Sequence, residues 1–81
     1  MNKKVIEIVR KYVEEHLDKS DAKPLYDVYV VWQFYIFGNA MWLLSTTLPD
    51  GMYYEVTYNK SKDEFYLDAY KKFENMSIAN D

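Results

Sequence analysis

A run of 22 residues without a charged side chain, residues 28–49, constrains the fold of this 81-residue chain more than any other feature. Residues 1–27 carry six basic and six acidic side chains, and residues 50–81 carry four basic and seven acidic ones. An uncharged run of this length is long enough to cross a bilayer as a helix. The chain must therefore place this run either in a membrane or in well-buried secondary structure.

The composition of the run favours buried β-strands over a membrane helix. Polar side chains interrupt it, the pair Gly38-Asn39 lies at its midpoint, and no basic residues flank its end. It is rich in β-branched and aromatic residues, which pack well on a pleated sheet. We therefore expect two strands, at about residues 26–37 and 40–48, joined by a turn at Gly38-Asn39.

Periodicity and turn residues predict the remaining elements. Apolar residues recur at helical spacing over about residues 3–19, and Asn2 is a candidate N-cap. Turn sequences at residues 48–51 and 60–63 separate two further strands, at about residues 52–59 and 64–73. Residues 74–81 form a polar tail that is expected to fray. The apolar stripe of the helix consists of Val5, Ile8, Val9, Tyr12, Val13, His16 and Leu17.

The order of these elements predicts one α+β domain over residues 1–81. Its N-terminal amphipathic helix would pack on one face of a four-stranded antiparallel meander sheet. A chain of this size buries only about 60 per cent of its unfolded surface, so self-association is a common way for it to gain stability. The N-terminus lacks the apolar core of a signal peptide, so a cytoplasmic protein is expected.

The last hairpin is predicted to pair two carboxylates. If Ser61 and Lys62 form the centre of the turn, Lys60 faces Asp63, and Glu55 lies directly opposite Asp68. The same register predicts three pairs on the helix-covered face and two more beside the carboxylates on the other face. The first three are Tyr54–Ala69, Val56–Leu67 and Tyr58–Phe65, and the other two are Tyr53–Tyr70 and Thr57–Tyr66.

Like charges directly opposite one another destabilise a strand pair. One interpretation is a binding site, in which a cation or a partner's Arg or Lys lies between flanking tyrosines. The other is a solvated face with Lys72 or another basic side chain nearby. The candidate binding residues are Tyr53, Glu55, Tyr66, Asp68 and Tyr70.

The face without the helix is expected to carry many aromatic side chains. It would be either an interface, with a second copy or with a target, or a surface that the curled sheet's own edges or tail cover. The candidates for it are Tyr29, Tyr53, Tyr66 and Tyr70, with some of Tyr35, Phe37, Met41 and Leu43.

No set of catalytic residues is apparent, and an enzyme is not expected. The chain has no cysteine, and its only histidine, His16, is predicted to be a partly buried structural residue without a positioned partner. One histidine and no cysteine leave no multi-histidine or zinc-thiolate site, and there is no glycine-rich phosphate loop, so neither a metal nor a cofactor is expected. A net charge of −3 makes nucleic acid an unlikely partner, since phosphate binding needs clustered cations.

Four stretches of the sequence resemble a family of small uncharacterised proteins encoded by phages and prophages of Gram-positive bacteria. The likeness covers about residues 27–75, and residues 50–59, Asp-Gly-Met-Tyr-Tyr-Glu-Val-Thr-Tyr-Asn, are its most specific part. The other stretches are residues 27–32 with 43–46, and residues 66–75. The resemblance implies an accessory protein made inside an infected or lysogenic bacterium, and it assigns no catalytic or binding residue.

These observations leave several functions open. The first is a non-enzymatic protein that binds a host or phage protein through its aromatic sheet face, for example to inhibit a host defence. The second is a dimer that sequesters a nucleotide-like ligand between aromatic rings, and the third is a structural component of the virion. For the second, the cations available to phosphates are Lys60, Lys62, Lys71 and Lys72.

Overall fold

The structure, a computed structural model, describes residues 2–17 and 25–80, and it confirms the predicted α+β fold. The helix α1 (Asn2–His16) packs on one sheet of four antiparallel strands in the order β1-β2-β3-β4. The strands are β1 (Val28–Ile36), β2 (Asn39–Thr46), β3 (Met52–Asn59) and β4 (Glu64–Lys71). The uncharged run thus forms β1 and β2. No helix in the described part of the chain is long and apolar enough to span a membrane.

The core lies between the helix and the middle of the sheet. Val5, Val9 and Val13 are spaced four residues apart, so they share one face of α1, and all three are buried. The sheet contributes the other side of the core, and its fully buried side chains belong to β2 and β3. They are Trp42, Leu44 and Val56, with Tyr54 almost fully buried beside them.

Trp42 connects the sheet to the start of the helix. Its indole Nε1–H donates a hydrogen bond of 3.0 Å to Oδ1 of Asn2, and its side chain is fully buried. The rings of Tyr35 and Phe65 lie 6.1 and 6.5 Å from it, centroid to centroid. The sequence predicts Asn2 as an N-cap, but its side-chain oxygen serves the tryptophan instead.

The first hairpin turns one residue earlier than the sequence predicts. Ile36 pairs with Asn39, so Phe37 and Gly38 are the two central residues, with φ of 48° and 82°. Positive φ at both positions corresponds to the type I′ turn, whose twist matches that of the flanking strands. The predicted turn at Gly38-Asn39 was wrong by one residue, because Phe37 adopts a left-handed conformation that is uncommon for a bulky residue.

The other two turns lie where they were predicted. Gly51 has a φ of 68°, and Oδ1 of Asp50 accepts a hydrogen bond of 3.1 Å from the Met52 amide. In the second turn Asp63 has a φ of 51°, and its carboxylate accepts a 2.7 Å hydrogen bond from the hydroxyl of Tyr58.

Four predicted strand boundaries extend too far: the start and end of β1, predicted at residues 26 and 37, and the ends of β2 and β4, predicted at residues 48 and 73. Strands β1 and β4 end at Ile36 and Lys71, and residues 72–80 are exposed without regular secondary structure. The predicted end of the helix, at residues 18–19, lies outside the described residues.

Replacing Asn2 with Ala is expected to lower the free energy of unfolding by about 1–3 kcal/mol, because the buried indole N–H of Trp42 loses its acceptor. Asn2→Asp keeps an acceptor oxygen at the same place and is the matched control. Urea unfolding followed by tryptophan fluorescence measures both variants. Equal midpoints for Asn2→Ala and wild type would show that the hydrogen bond contributes nothing.

Replacing Phe37 with Asn is expected to raise the free energy of unfolding by about 1 kcal/mol. Asn adopts positive φ more readily than Phe, and Asn-Gly is a preferred central pair of a type I′ turn. The Phe37 side chain is 96% exposed, so its removal costs little packing within the chain. Urea unfolding of the dilute protein checks this, and a loss of stability would show that Phe37 packs against something in solution.

Candidate functional site

A β-bulge in β1 determines which side chains lie on the face of the sheet away from the helix. Val30 pairs with Leu44 and Trp32 pairs with Leu43, so Val31 is an extra residue in the strand. Each residue after the bulge therefore points to the opposite face from the one that simple alternation predicts. As a result Trp32, Phe34 and Ile36 join the face that α1 does not cover.

The helix-free face consists of three complete rows of side chains that cross all four strands. The middle row contains one aromatic, one aliphatic and two acidic residues. The residue on β1 is tyrosine in one of the other two rows and phenylalanine in the other. In the order β1 to β4 the rows are Tyr29–Ser45–Tyr53–Tyr70, Trp32–Leu43–Glu55–Asp68 and Phe34–Met41–Thr57–Tyr66.

These rows divide the helix-free face into two halves of different chemistry. The half on β1 and β2, the apolar half, consists of Tyr29, Trp32, Phe34, Ile36, Met41 and Leu43. The half on β3 and β4, the acidic half, consists of Tyr53, Glu55, Thr57, Tyr66, Asp68 and Tyr70. Large side chains of both halves are exposed, with exposed fractions of 43% for Trp32, 53% for Phe34 and 51% for Tyr70. The described part of the chain therefore leaves both halves open to solvent.

The register predicted for the last hairpin is confirmed at every pair. Glu55 lies directly opposite Asp68, and Tyr53 and Thr57 lie opposite Tyr70 and Tyr66. Directly opposed residues of an antiparallel pair have their Cβ atoms about 4.5–5.5 Å apart. The three rows contain these two carboxylates and no basic side chain.

Lys72, the predicted neutralising residue, follows β4 and lies beside Gly51. Its amide donates a 2.8 Å hydrogen bond to the Gly51 carbonyl. Four residues of extended chain separate Lys72 from Asp68, which corresponds to about 13 Å between Cα atoms. Lys72 is therefore at the margin of the face rather than between the carboxylates.

The two carboxylates change the pKa of a neighbouring side chain, Tyr70. Glu55, and to a smaller extent Asp68, raises the pKa of the Tyr70 hydroxyl above its usual 10.0, because a negatively charged phenolate beside the two carboxylates is unfavourable. The Tyr66 pKa is also raised, mainly because its hydroxyl donates a 2.6 Å hydrogen bond to Oε2 of Glu64. Both tyrosines are therefore neutral hydrogen-bond donors at physiological pH.

The structure brings the five predicted binding residues together on the acidic half. Of the other aromatic candidates, Tyr35 pairs with Ala40 on the helix side of the sheet, and Phe37 lies at the hairpin tip. Trp32, Phe34 and Ile36 were not among the predicted residues of this face, since simple alternation along the strand from Val28 places them on the helix side. Only the bulge moves them, and nothing in the sequence marks its position.

The prediction that His16 is partly buried was wrong. The side chain is exposed at the end of α1, where its ring stacks on Tyr12 and Nδ1 lies 2.8 Å from the Tyr12 carbonyl oxygen. It borders an open cleft of about 220 Å³ beside Asp50 and Tyr54. Burial, followed by the charge of Asp50, raises the pKa of the Tyr54 hydroxyl.

Among residues 2–17 and 25–80, no group of three or more His, Asp or Glu side chains is placed to hold a metal ion.

A family of unknown function, DUF6275, matches residues 2–80, which is nearly the whole chain. No curated protein and no solved structure matches the sequence. The function has to be inferred from the surface of the chain itself.

Replacing Glu55 with Gln is expected to raise the free energy of unfolding by about 0.2–1 kcal/mol at low salt, since it removes the repulsion with Asp68. The gain should shrink as salt screens the charges. The same change should bring the Tyr70 pKa back towards 10.0, which a tyrosine-resolved NMR titration measures. A raised pKa stabilises the folded state below pH 10, and this contribution is lost as the pH rises through the folded-state value.

Glu74→Gln makes the same chemical change in the exposed tail and is the control. It should alter neither the stability nor the Tyr70 titration. If Glu55→Gln destabilises the fold instead, the carboxylate has a stabilising partner and the repulsive pair is not the right description.

Proposed function

Because the chain belongs to the DUF6275 family of unknown function, we propose its role from its own surface. It is a non-enzymatic binding protein, and the acidic half of its helix-free face binds another protein. The binding residues are Tyr53, Glu55, Tyr66, Asp68 and Tyr70.

The opposed pair Glu55–Asp68 is the observation that carries this proposal. The pair costs the isolated fold stability, and no basic side chain of the three rows offsets it. An Arg or Lys of a partner placed between the two carboxylates would turn this repulsion into charge-assisted hydrogen bonds. The feature that is unfavourable in the free chain thus becomes favourable in a complex.

The tyrosines around the pair suit the same partner. Tyr53 and Tyr70 lie in the neighbouring row on one side, and Tyr66 in the neighbouring row on the other. Tyrosine rings attract a guanidinium or ammonium group through their π-faces. Tyrosine is also among the residues that contribute most to protein–protein binding energy. The acidic half therefore combines a charge and an aromatic surround for one basic side chain.

The shape of the face favours a protein over a small ligand. Pockets that bind small molecules are concave and have volumes of about 300–1,000 Å³. A cavity on this face, beside Phe34 and Met41 and bordering Thr57, measures about 100 Å³, which is below that range. A broad, open surface of three residue rows is better suited to the flat interface of a protein partner.

The setting that we propose is the cytoplasm of a bacterium that carries a phage or prophage. The resemblance of residues 27–75 to small phage and prophage proteins supports this setting. The partner would be a host or phage protein with an exposed Arg or Lys, and inhibition of a host defence protein is one outcome of such binding.

Charge removal tests the proposal. The double variant Glu55→Gln with Asp68→Asn keeps the shape of the face and is expected to lower partner affinity at least about tenfold, because it removes the charge-assisted contacts. Partners are first captured on the wild-type chain in a host lysate and identified, and their affinities are then measured by calorimetry. Wild-type binding should also weaken as salt is raised.

The matched control removes two carboxylates from the outer side of the helix, Glu7→Gln with Glu15→Gln, which are both exposed. Its affinity should equal that of wild type. Equal binding by both double variants would overturn the proposed site. Unchanged binding after Tyr53, Tyr66 and Tyr70 are all replaced with Ala, in a folded variant, would overturn the role of the acidic half altogether.

A further inference from the structure

We propose that the apolar half of the helix-free face is covered by the same half of a second copy of this chain, in a dimer with two-fold symmetry. This interface is distinct from the acidic half, on which the proposed function rests. It assigns a role to the side chains that the bulge in β1 turns outwards.

The size of the apolar half is what a dimer interface of modest stability needs. A side chain as large as Trp32 or Phe34, when about half exposed, presents roughly 100 Å² to solvent. With Tyr29, Ile36, the hairpin-tip residue Phe37 and the partly exposed Met41 and Leu43, the surface amounts to roughly 700 Å². A standard interface buries about 800 Å² on each partner, and monomers rarely expose an apolar patch larger than about 300–600 Å².

The thickness of the described part of the chain shows that residues 2–17 and 25–80 place no covering layer on this surface. Its smallest principal dimension is 16 Å, measured over Cα atoms. A helix layer and a sheet layer about 10 Å apart account for that dimension. A second sheet packed on the open face would complete a core that has sheets inside and helices outside.

The exposed C-terminal residues of the same chain do not cover the apolar half. Phe73 and Ile78 are 98% and 84% exposed, so neither side chain is packed on the sheet. These residues follow β4, whereas the apolar half lies on β1 and β2 at the other side of the sheet.

The distribution of charge selects one geometry for the dimer. If the two-fold axis runs parallel to the strands, between β1 and β2, then β1 of one copy packs on β2 of the other. Only uncharged strands then meet, because β1 and β2 both come from the charge-free run. The strands β3 and β4 of each copy extend beyond the contact, so Glu55 and Asp68 stay in solvent. An apolar centre with a polar rim is the usual composition of a stable interface.

The contact surface also has relief that a second copy can fill. A cavity of about 100 Å³ lies among Phe34, Ile36 and Met41 of the apolar half and borders Thr57 of the acidic half. The projecting rings of Trp32 and Phe34 stand beside it in neighbouring rows. In a two-fold dimer each copy offers both the projection and the cavity, as a self-complementary interface requires.

The oligomeric state tests this proposal. Sedimentation equilibrium of wild-type protein over about 1–500 μM should show the mass rising from 9.8 kDa to twice that value. Phe34→Glu places a charge at the centre of the contact and should raise the dimer dissociation constant at least about tenfold. Circular dichroism and urea unfolding establish that each variant is folded.

Tyr66→Glu is the matched control, because Tyr66 lies in the same row as Phe34 and has a similar exposed fraction, 41% against 53%. It should leave the dimer intact. A wild-type chain that stays monomeric at 500 μM, or equal weakening by both variants, would overturn the proposal. A dimer insensitive to both Phe34→Glu and Trp32→Glu would show that another surface, such as the β1 edge, makes the contact.

The test separates this interface from the partner-binding site. A folded Phe34→Glu monomer that still binds the partner supports both assignments. A wild-type dimer whose affinity for partners does not respond to Glu55→Gln with Asp68→Asn supports the dimer and contradicts the binding site.

Discussion

The β-bulge at Val31 determines which side chains of β1 lie on each face of the sheet, and the properties of both faces depend on it. Without it, strict alternation from Val28 would turn Trp32, Phe34 and Ile36 towards the helix side, where α1 already covers the sheet with three valines. With it, those side chains lie on the other face, and Gln33 and Tyr35 take the helix side. One inserted residue thus reverses which side chains of the second half of β1 face away from the helix. These aromatic side chains therefore lie on the surface of the molecule rather than in its core.

The core that remains is small, and its parts are tightly linked. Trp42 is fully buried, and its indole N–H reaches the first residue of the helix, so the helix start and the centre of β2 are fixed together. Val5, Val9 and Val13 then follow along the sheet at one residue per turn. A single helix on a single sheet buries only one side of that sheet, which leaves the fold dependent on what its other side contacts.

Much of this arrangement could be predicted from the sequence. The helix, the four strands and every pair of the last hairpin follow from periodicity, turn residues and the charge-free run, because those signals are local. The opposed pair Glu55 and Asp68, the centre of the proposed binding site, was predicted in the same way, since one turn fixes its register. Three features could not be predicted, because local sequence patterns do not specify them. They are the bulge in β1, the left-handed conformation of Phe37 and the hydrogen bond from Trp42 to the Asn2 side chain. Each required the strands to be placed before it could be seen.

The unfavourable features of the free chain lie on or next to one face. The opposed carboxylates repel, the apolar half is exposed to water, and Phe37 adopts a conformation that costs a bulky residue energy. Single substitutions, Glu55→Gln and Phe37→Asn, would relieve the first and the third of them. Their coexistence is accounted for if the face is occupied, with a second copy on β1 and β2 and a basic partner on β3 and β4. In the proposed geometry the two acidic halves of a dimer extend on opposite sides of the contact. Such a dimer would bind two basic side chains of one target at once. It would therefore bind a target with several such side chains more tightly than a single copy does.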